Sequence, residues 1–217
     1  MTAIKTFGVV VAALTLPSAV GASHPTLTAT AAMQALGVSD PDAKATFTTW
    51  NGRRTEFVEY LVDEAKLLAK GRGSWDEPPP QHVDIETGER DKKVRVLGAV
   101  QRTADGKIQP TIVTDAGSDF GSSAVSAFGF ANADRDAEKE LIVIVQWEFS
   151  IYDVGGMEYQ VRIFKQPDPS KPNLAPLQSV SDHFGYQCDC RFRDGRREHA
   201  KFKTIKAVQR ELRRLGY

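Results

Sequence analysis

Between Phe128 and Trp147 the chain carries oxygen-bearing side chains at alternate positions, Asn132, Asp134 and Asp136, then Glu138 and Glu140. It passes from there directly into the apolar run Leu141 to Val145. Alternate residues of a tight loop can all point to one centre. A hard cation such as Ca2+ takes roughly six to eight oxygen ligands, so this spacing suits it, with a backbone carbonyl near Glu138 and a last carboxylate at Glu140 closing the shell. Asn132, Asp134, Asp136, Glu138 and Glu140 are therefore the candidate metal site. The competing reading of the same residues is a solvated β-turn with its charges in water.

The spacing of Asn132, Asp134, Asp136 and Glu140, followed by Leu141 and a strand, resembles the DxDxDGxx(D/E)L calcium-binding loop of FG-GAP and VCBS-type repeats. The resemblance covers this short loop alone, and it implies Ca2+ as the ligand. The sequence departs from that pattern at Asn132, where the family has Asp, and at Ala137, where the sharp turn favours Gly. A strict EF-hand is excluded, because its closing Glu would fall at Val143. A propeller would need several such loops, and Asp84, Glu86 and Asp91 offer only a faint echo.

The second group with chemistry is the pair Cys188 and Cys190, the only cysteines. Two apart on a strand, they share one face. A two-residue turn at Asp194-Gly195 would set Cys190 opposite His199. That leaves three readings: a Cys188–Cys190 disulfide, pairing with another chain, or a second metal site of Cys188, Cys190 and His199, with His183 as a fourth ligand. A redox role has less support, since the CxxC spacing and a βαβ context are missing. No GxSxG, HExxH or phosphate-cradling glycine loop occurs. Asp134, Asp136 and Glu140 could act as an acid/base pair of the glycosidase kind, but no apolar pocket that would raise a carboxyl pKa is visible in the sequence. The chain reads as non-catalytic.

These groups sit in 217 residues, 41% hydrophobic and 26% charged, enough for one domain with a core. Residues 1 to 22 read as a signal peptide: Lys5, the apolar stretch Phe7 to Leu16, and the small residues Val20-Gly21-Ala22 before Ser23. The expected location is periplasmic or extracellular, with no membrane-spanning segment in the mature chain. Net charge is zero, yet the signs are segregated. Acidic residues dominate 130 to 158. From Arg191 onward Arg191, Arg193, Arg196, Arg197, Lys201, Lys203, Lys206, Arg210, Arg213 and Arg214 face only Asp194, Glu198 and Glu211. Such a tail suits an anionic envelope component or an acidic protein as partner rather than nucleic acid; the plain alternative is a solvated face.

The elements that must position these residues read as follows. Residues 23 to 43 are a loosely ordered arm with a short helix, Thr30 to Leu36, stopped by Gly37. Phe57, Val58, Leu61, Val62, Ala65 and Leu68 fall at helical spacing, which predicts a helix over 56–70; a hairpin over Asn51-Gly52 competes with it. Triple proline at 78–80 marks a long loop. Runs around Asp105-Gly106 form a hairpin with Pro110 at an edge or bulge. Ala124 to Ala131 leads into the acidic loop, Leu141 to Trp147 is a strand buried on both faces, and Gly155-Gly156 turns into the alternating strand Met157 to Phe164. A third hairpin spans Asp194-Gly195, and Thr204 caps a helix to Leu215. The expected fold is α+β, an antiparallel sheet of hairpins with the 56–70 helix and the C-terminal helix packed on it, in one domain over 23–217. The function expected is that of an exported binding or structural protein with one Ca2+ loop. An envelope-polymer hydrolase, or an inhibitor or immunity-type protein binding an acidic partner, are the alternatives.

Overall fold

The computed structural model describes residues 27–63, 93–103, 105–115, 123–166 and 174–217. The signal-peptide expectation, the triple-proline loop and residues 64–70 lie outside these. Helix α1 (Ala29–Leu36) is capped by the Thr28 hydroxyl, which accepts the Ala31 N–H, and ends at Gly37. Strands β1 (Lys44–Trp50), β2 (Arg53–Asp63), β3 (Lys93–Arg102) and β4 (Ile108–Asp115) form one antiparallel meander in sequence order. Strands β5 (Ser123–Ala131), β6 (Glu140–Ile151), β7 (Val154–Phe164), β8 (Tyr186–Phe192) and β9 (Arg197–Glu198) form a second. Helix α2 (Gln178–Phe184) lies between β7 and β8, and α3 (Ile205–Arg214) follows β9.

The α+β class is as expected, but the expected single sheet is two, packed face to face. Trp50, Phe57, Leu97, Ala99 and Val113 of the first meet Leu141, Val143, Val145, Trp147 and Phe164 of the second. Leu27, Ala32 and Leu36 cover the outer face of the first sheet beside Val58, Tyr60, Val96 and Val100, so from Leu27 the arm is packed. Val180, Phe184, Val208 and Leu212 cover the outer face of the second, on Ile142, Ile144, Val161 and Ile163. The apolar run of β6 is thus continuous because one side faces the sandwich and the other the helices. None of the described helices is long and apolar enough to cross a membrane.

The helix expected over 56–70 is corrected within the described residues: 56–63 belong to β2. Asn51 (φ 46°) and Gly52 (φ 77°) both take the positive φ of a two-residue hairpin turn, which locks Trp50 opposite Arg53 and starts β2 in antiparallel register. Thr55 to Val58 are buried without interruption, Phe57 toward the sandwich and Val58 toward α1. A strand covered on both faces does not alternate, and here its apolar positions coincide with helical spacing.

Most other elements follow the sequence. Pro110 lies on the edge strand β4, opposite Val100, where no ladder donor is required of it. Thr204 caps α3 by accepting the Ala207 N–H. The β6–β7 turn, however, is Tyr152-Asp153, since Ile151 pairs with Val154, and the two glycines lie inside β7. The polar side of β7 meets the first sheet: Arg162 donates to Gln160 Oε1 (2.8 Å), to the Thr114 hydroxyl and to the Asp115 carbonyl (2.5 Å).

Candidate metal centre

The β5–β6 loop, residues 132–139, folds by side chains bonding its own backbone. Asn132 Oδ1 accepts the Arg135 N–H (2.8 Å) and its Nδ2 donates to the Asp136 carbonyl. Asp134 Oδ1 accepts the Asp136 N–H (3.2 Å), and Asp136 Oδ1 accepts the Glu138 N–H (2.8 Å). These Asx turns are what short acidic side chains do when no ladder partner is available. Arg135 takes the left-handed φ of 70° at the tip.

Beneath the loop Glu140, the first residue of β6, is 1% exposed and accepts the Ala133 N–H on Oε2 (2.6 Å). Ligand atoms of Asp134, Asp136 and Glu140 lie within 4.8 Å of one another, so three of the five expected donors converge. Asn132 spends its side chain inside the loop, and Glu138 lies exposed at its edge. The convergent side already meets a cation. Lys165, just beyond β7, places its ammonium on Asp134 Oδ2 and 3.7 Å from Asp136 Oδ2.

The electrostatics follow from this crowding. Burial pushes the Glu140 carboxyl up to about 7; the Ala133 N–H opposes that, while the charges of Asp134 and Asp136 add to it. Burial would raise Asp134 too, but the Lys165 ammonium and the Asp136 N–H outweigh it and hold Asp134 below its ordinary value. Lys165 is raised in turn, chiefly by its bond to Asp134.

The loop is held from the other sheet. Trp50 donates its indole N–H to the Lys139 carbonyl (2.6 Å). Asn51 Nδ2 donates to the same carbonyl (3.0 Å) and to Gln166 Oε1 (2.9 Å), while its Oδ1 accepts the Lys139 N–H (2.9 Å). Trp50 packs on Phe130 and Phe57, and Phe57 on Phe128, which ties the hairpin tip to β5. Lys165, Trp50 and Asn51 carried no sequence signal as site residues, because their contacts span long stretches of chain.

The register of the cysteine hairpin differs from expectation. Cys188 and Cys190 are joined as a disulfide within β8. Phe192 pairs with Arg196 around a three-residue loop, so Cys190 faces Glu198 and His199 is displaced by one position. His199 is instead 3.8 Å from Asp189 and largely exposed, and His183 bonds Glu211 at 2.9 Å. Neither imidazole joins the sulfurs. One buried carboxylate escaped the sequence altogether: Glu56 on β2 is 0% exposed, with both oxygens unpartnered among the described residues. Burial raises its pKa against the pull of Arg54.

No protein-family model, curated protein or solved structure matches this chain.

Proposed function

We propose that this is an exported, non-catalytic binding or structural protein whose 132–140 loop takes up Ca2+ and uses it to fix the entry to β6. The observation that carries this reading is the convergence of the Asp134, Asp136 and Glu140 carboxylates, two of which, Asp134 and Asp136, already hold the Lys165 ammonium. When Glu140 is ionised, one ammonium offsets one of three negative charges, and hard oxygen donors at this separation suit a divalent cation. Backbone carbonyls and water would complete the shell. Metal entry competes with Lys165, so the affinity belongs to the weaker, extracellular range of calcium sites.

Metal that binds the folded state alone raises the melting temperature. The test is a thermal melt of the mature protein after chelator treatment, with and without excess Ca2+. A rise of several degrees that no monovalent salt reproduces, and that Asp134→Ala with Asp136→Ala abolishes, is expected. An unchanged melt would overturn the reading. A hydrolase using these carboxylates has less support, because the buried Glu140 is turned to the Ala133 amide and offers no surface to a polymer.

A second reading rests on the C-terminal charges. Asp194 is taken up by Arg196, Asp189 by Lys203, and Glu211 by Arg214 and His183. Lys206, Arg210 and Arg213 have no ion pair among the described residues and form one stripe of α3, roughly opposite the buried Val208 and Leu212. This favours an anionic partner, either an envelope component or an acidic protein. Binding that weakens with salt and fails on Arg210→Glu with Arg213→Glu supports it; retention of the partner by that variant in high salt contradicts it.

A further inference from the structure

The Cys188–Cys190 disulfide does not behave as a staple. It joins positions two apart in one strand, so it links no separate elements. A cross-link stabilises chiefly by closing a loop in the unfolded chain, and the benefit shrinks with the loop; this loop is among the smallest possible. Strand β8 is already held by hydrogen bonding to β7 on one side and to β9 on the other. The backbone of β8 runs close against β7 here. Gly156 (φ 156°) lies directly opposite Cys190, and a Cβ there would fall 2.2 Å from the Asp189 carbonyl oxygen and 3.0 Å from the Cys190 Cα. A side chain at 156 is excluded by the backbone of the cysteine segment itself.

The two cysteines are unequally placed. Cys190 is 3% exposed, whereas Cys188 is only partly buried. Cys188 ends a row across three strands, Trp147, Glu158 and Cys188, in which the indole N–H donates to Glu158 Oε2 (2.9 Å). Tyr186 stands on the same face two residues away, 65% exposed, with its ring edge-on to Trp147 at 5.9 Å. A partly exposed cysteine bonded to a buried one offers disulfide exchange one partner open to attack and one leaving group kept close for return.

We propose that Cys188–Cys190 is a thiol–disulfide exchange site whose substrates are cysteine pairs of other polypeptides. A substrate thiolate attacks Cys188 Sγ, forming a mixed disulfide and breaking the Cys188–Cys190 bond, and Cys190 departs as thiolate and takes up a proton. The second substrate thiolate then attacks the substrate sulfur of the mixed disulfide. It forms the substrate disulfide and releases Cys188, which is protonated. Two electrons pass from the substrate dithiol to the cysteine pair, with no other reactant. Tyr186 receives apolar side chains flanking the substrate cysteine. The site is independent of the acidic loop and of the Ca2+ reading.

The test mixes the oxidised full chain with an equimolar reduced peptide carrying two cysteines, followed by acid quenching, alkylation and mass analysis. Transfer of the disulfide to the peptide in equal amounts is expected. With a single-cysteine peptide activated as a mixed disulfide, Cys190→Ser is expected to capture the peptide at Cys188, and Cys188→Ser at least about tenfold more slowly, because access governs attack. A wild-type disulfide that survives the dithiol peptide untouched overturns the proposal, and this measurement needs no variant to fold. So does equal capture by the two single-cysteine variants.

Discussion

Asn51 occupies both polar groups of the Lys139 backbone, 88 residues away: its Oδ1 accepts the Lys139 N–H at 2.9 Å and its Nδ2 donates to the Lys139 carbonyl at 3.0 Å. One turn residue of the first sheet thereby does for the acidic loop what a neighbouring strand would do. It fixes the last peptide before Glu140, and so the height at which that carboxylate enters the cluster. The same residue supplies the left-handed φ of its own turn, which binds the choice of Asn to two demands at once.

Asn51→Gly separates those demands, since Gly accepts φ 46° without strain. Loss of the side-chain bonds is expected to lower stability by about 1–2 kcal/mol, read from urea unfolding. It should also weaken any Ca2+-dependent rise in melting temperature. An unchanged Ca2+ response would mean that the loop keeps its shape without the first sheet.

Stability should fall as pH rises through the range set by Glu140. Its folded pKa of about 7 lies above the ordinary 4.5, so the folded state holds the proton more tightly than the unfolded chain. The contribution is fully present below 4.5 and is lost as pH approaches 7, by at most about 3 kcal/mol. Glu140→Gln keeps an acceptor for the Ala133 N–H and removes this slope. Chemical unfolding of both proteins at pH 5 and pH 8, free of divalent ions, measures the difference.

Lys165→Met removes the cation from the cluster and leaves the carboxylates to repel. The metal-free variant is expected to melt several degrees below the wild type at pH 8, and saturating Ca2+ should recover more than it gives the wild type. Calcium titration by calorimetry should show tighter binding, since no ammonium must be displaced. Weaker binding would make Lys165 a part of the site instead of its competitor.

Glu56 is buried with both oxygens unpartnered among the described residues. Glu56→Met keeps the volume and removes the desolvated carboxyl, and is expected to stabilise the protein by about 1–3 kcal/mol at pH 8. Because the folded pKa is raised, the gain shrinks toward pH 4, where the wild type is protonated. A loss of stability at both pH values would show that the carboxyl serves a purpose beyond packing.

What the sequence determined by itself is what local chemistry decides. Asn51-Gly52 and Asp105-Gly106 mark turns because their backbone conformations belong to few residues, Thr204 marks a helix start because its hydroxyl takes a free N–H, and the acidic loop is visible because its residues are adjacent in sequence. What only the tertiary structure decided depends on which surfaces are covered. Residues 56–63 carry a helical rhythm, yet they form a strand because a tight turn and cover on both faces outweigh local periodicity. Cys190 meets Glu198 instead of His199 because the hairpin loop holds three residues, and a shift of one changes every partner. Lys165 reaches the loop from the end of β7 and Asn51 from the other sheet, and Glu56 is buried by packing that its own neighbours do not announce. Spacing fixes which side chains can share a loop or a face; only packing the sheets and helices together fixes which charge meets which.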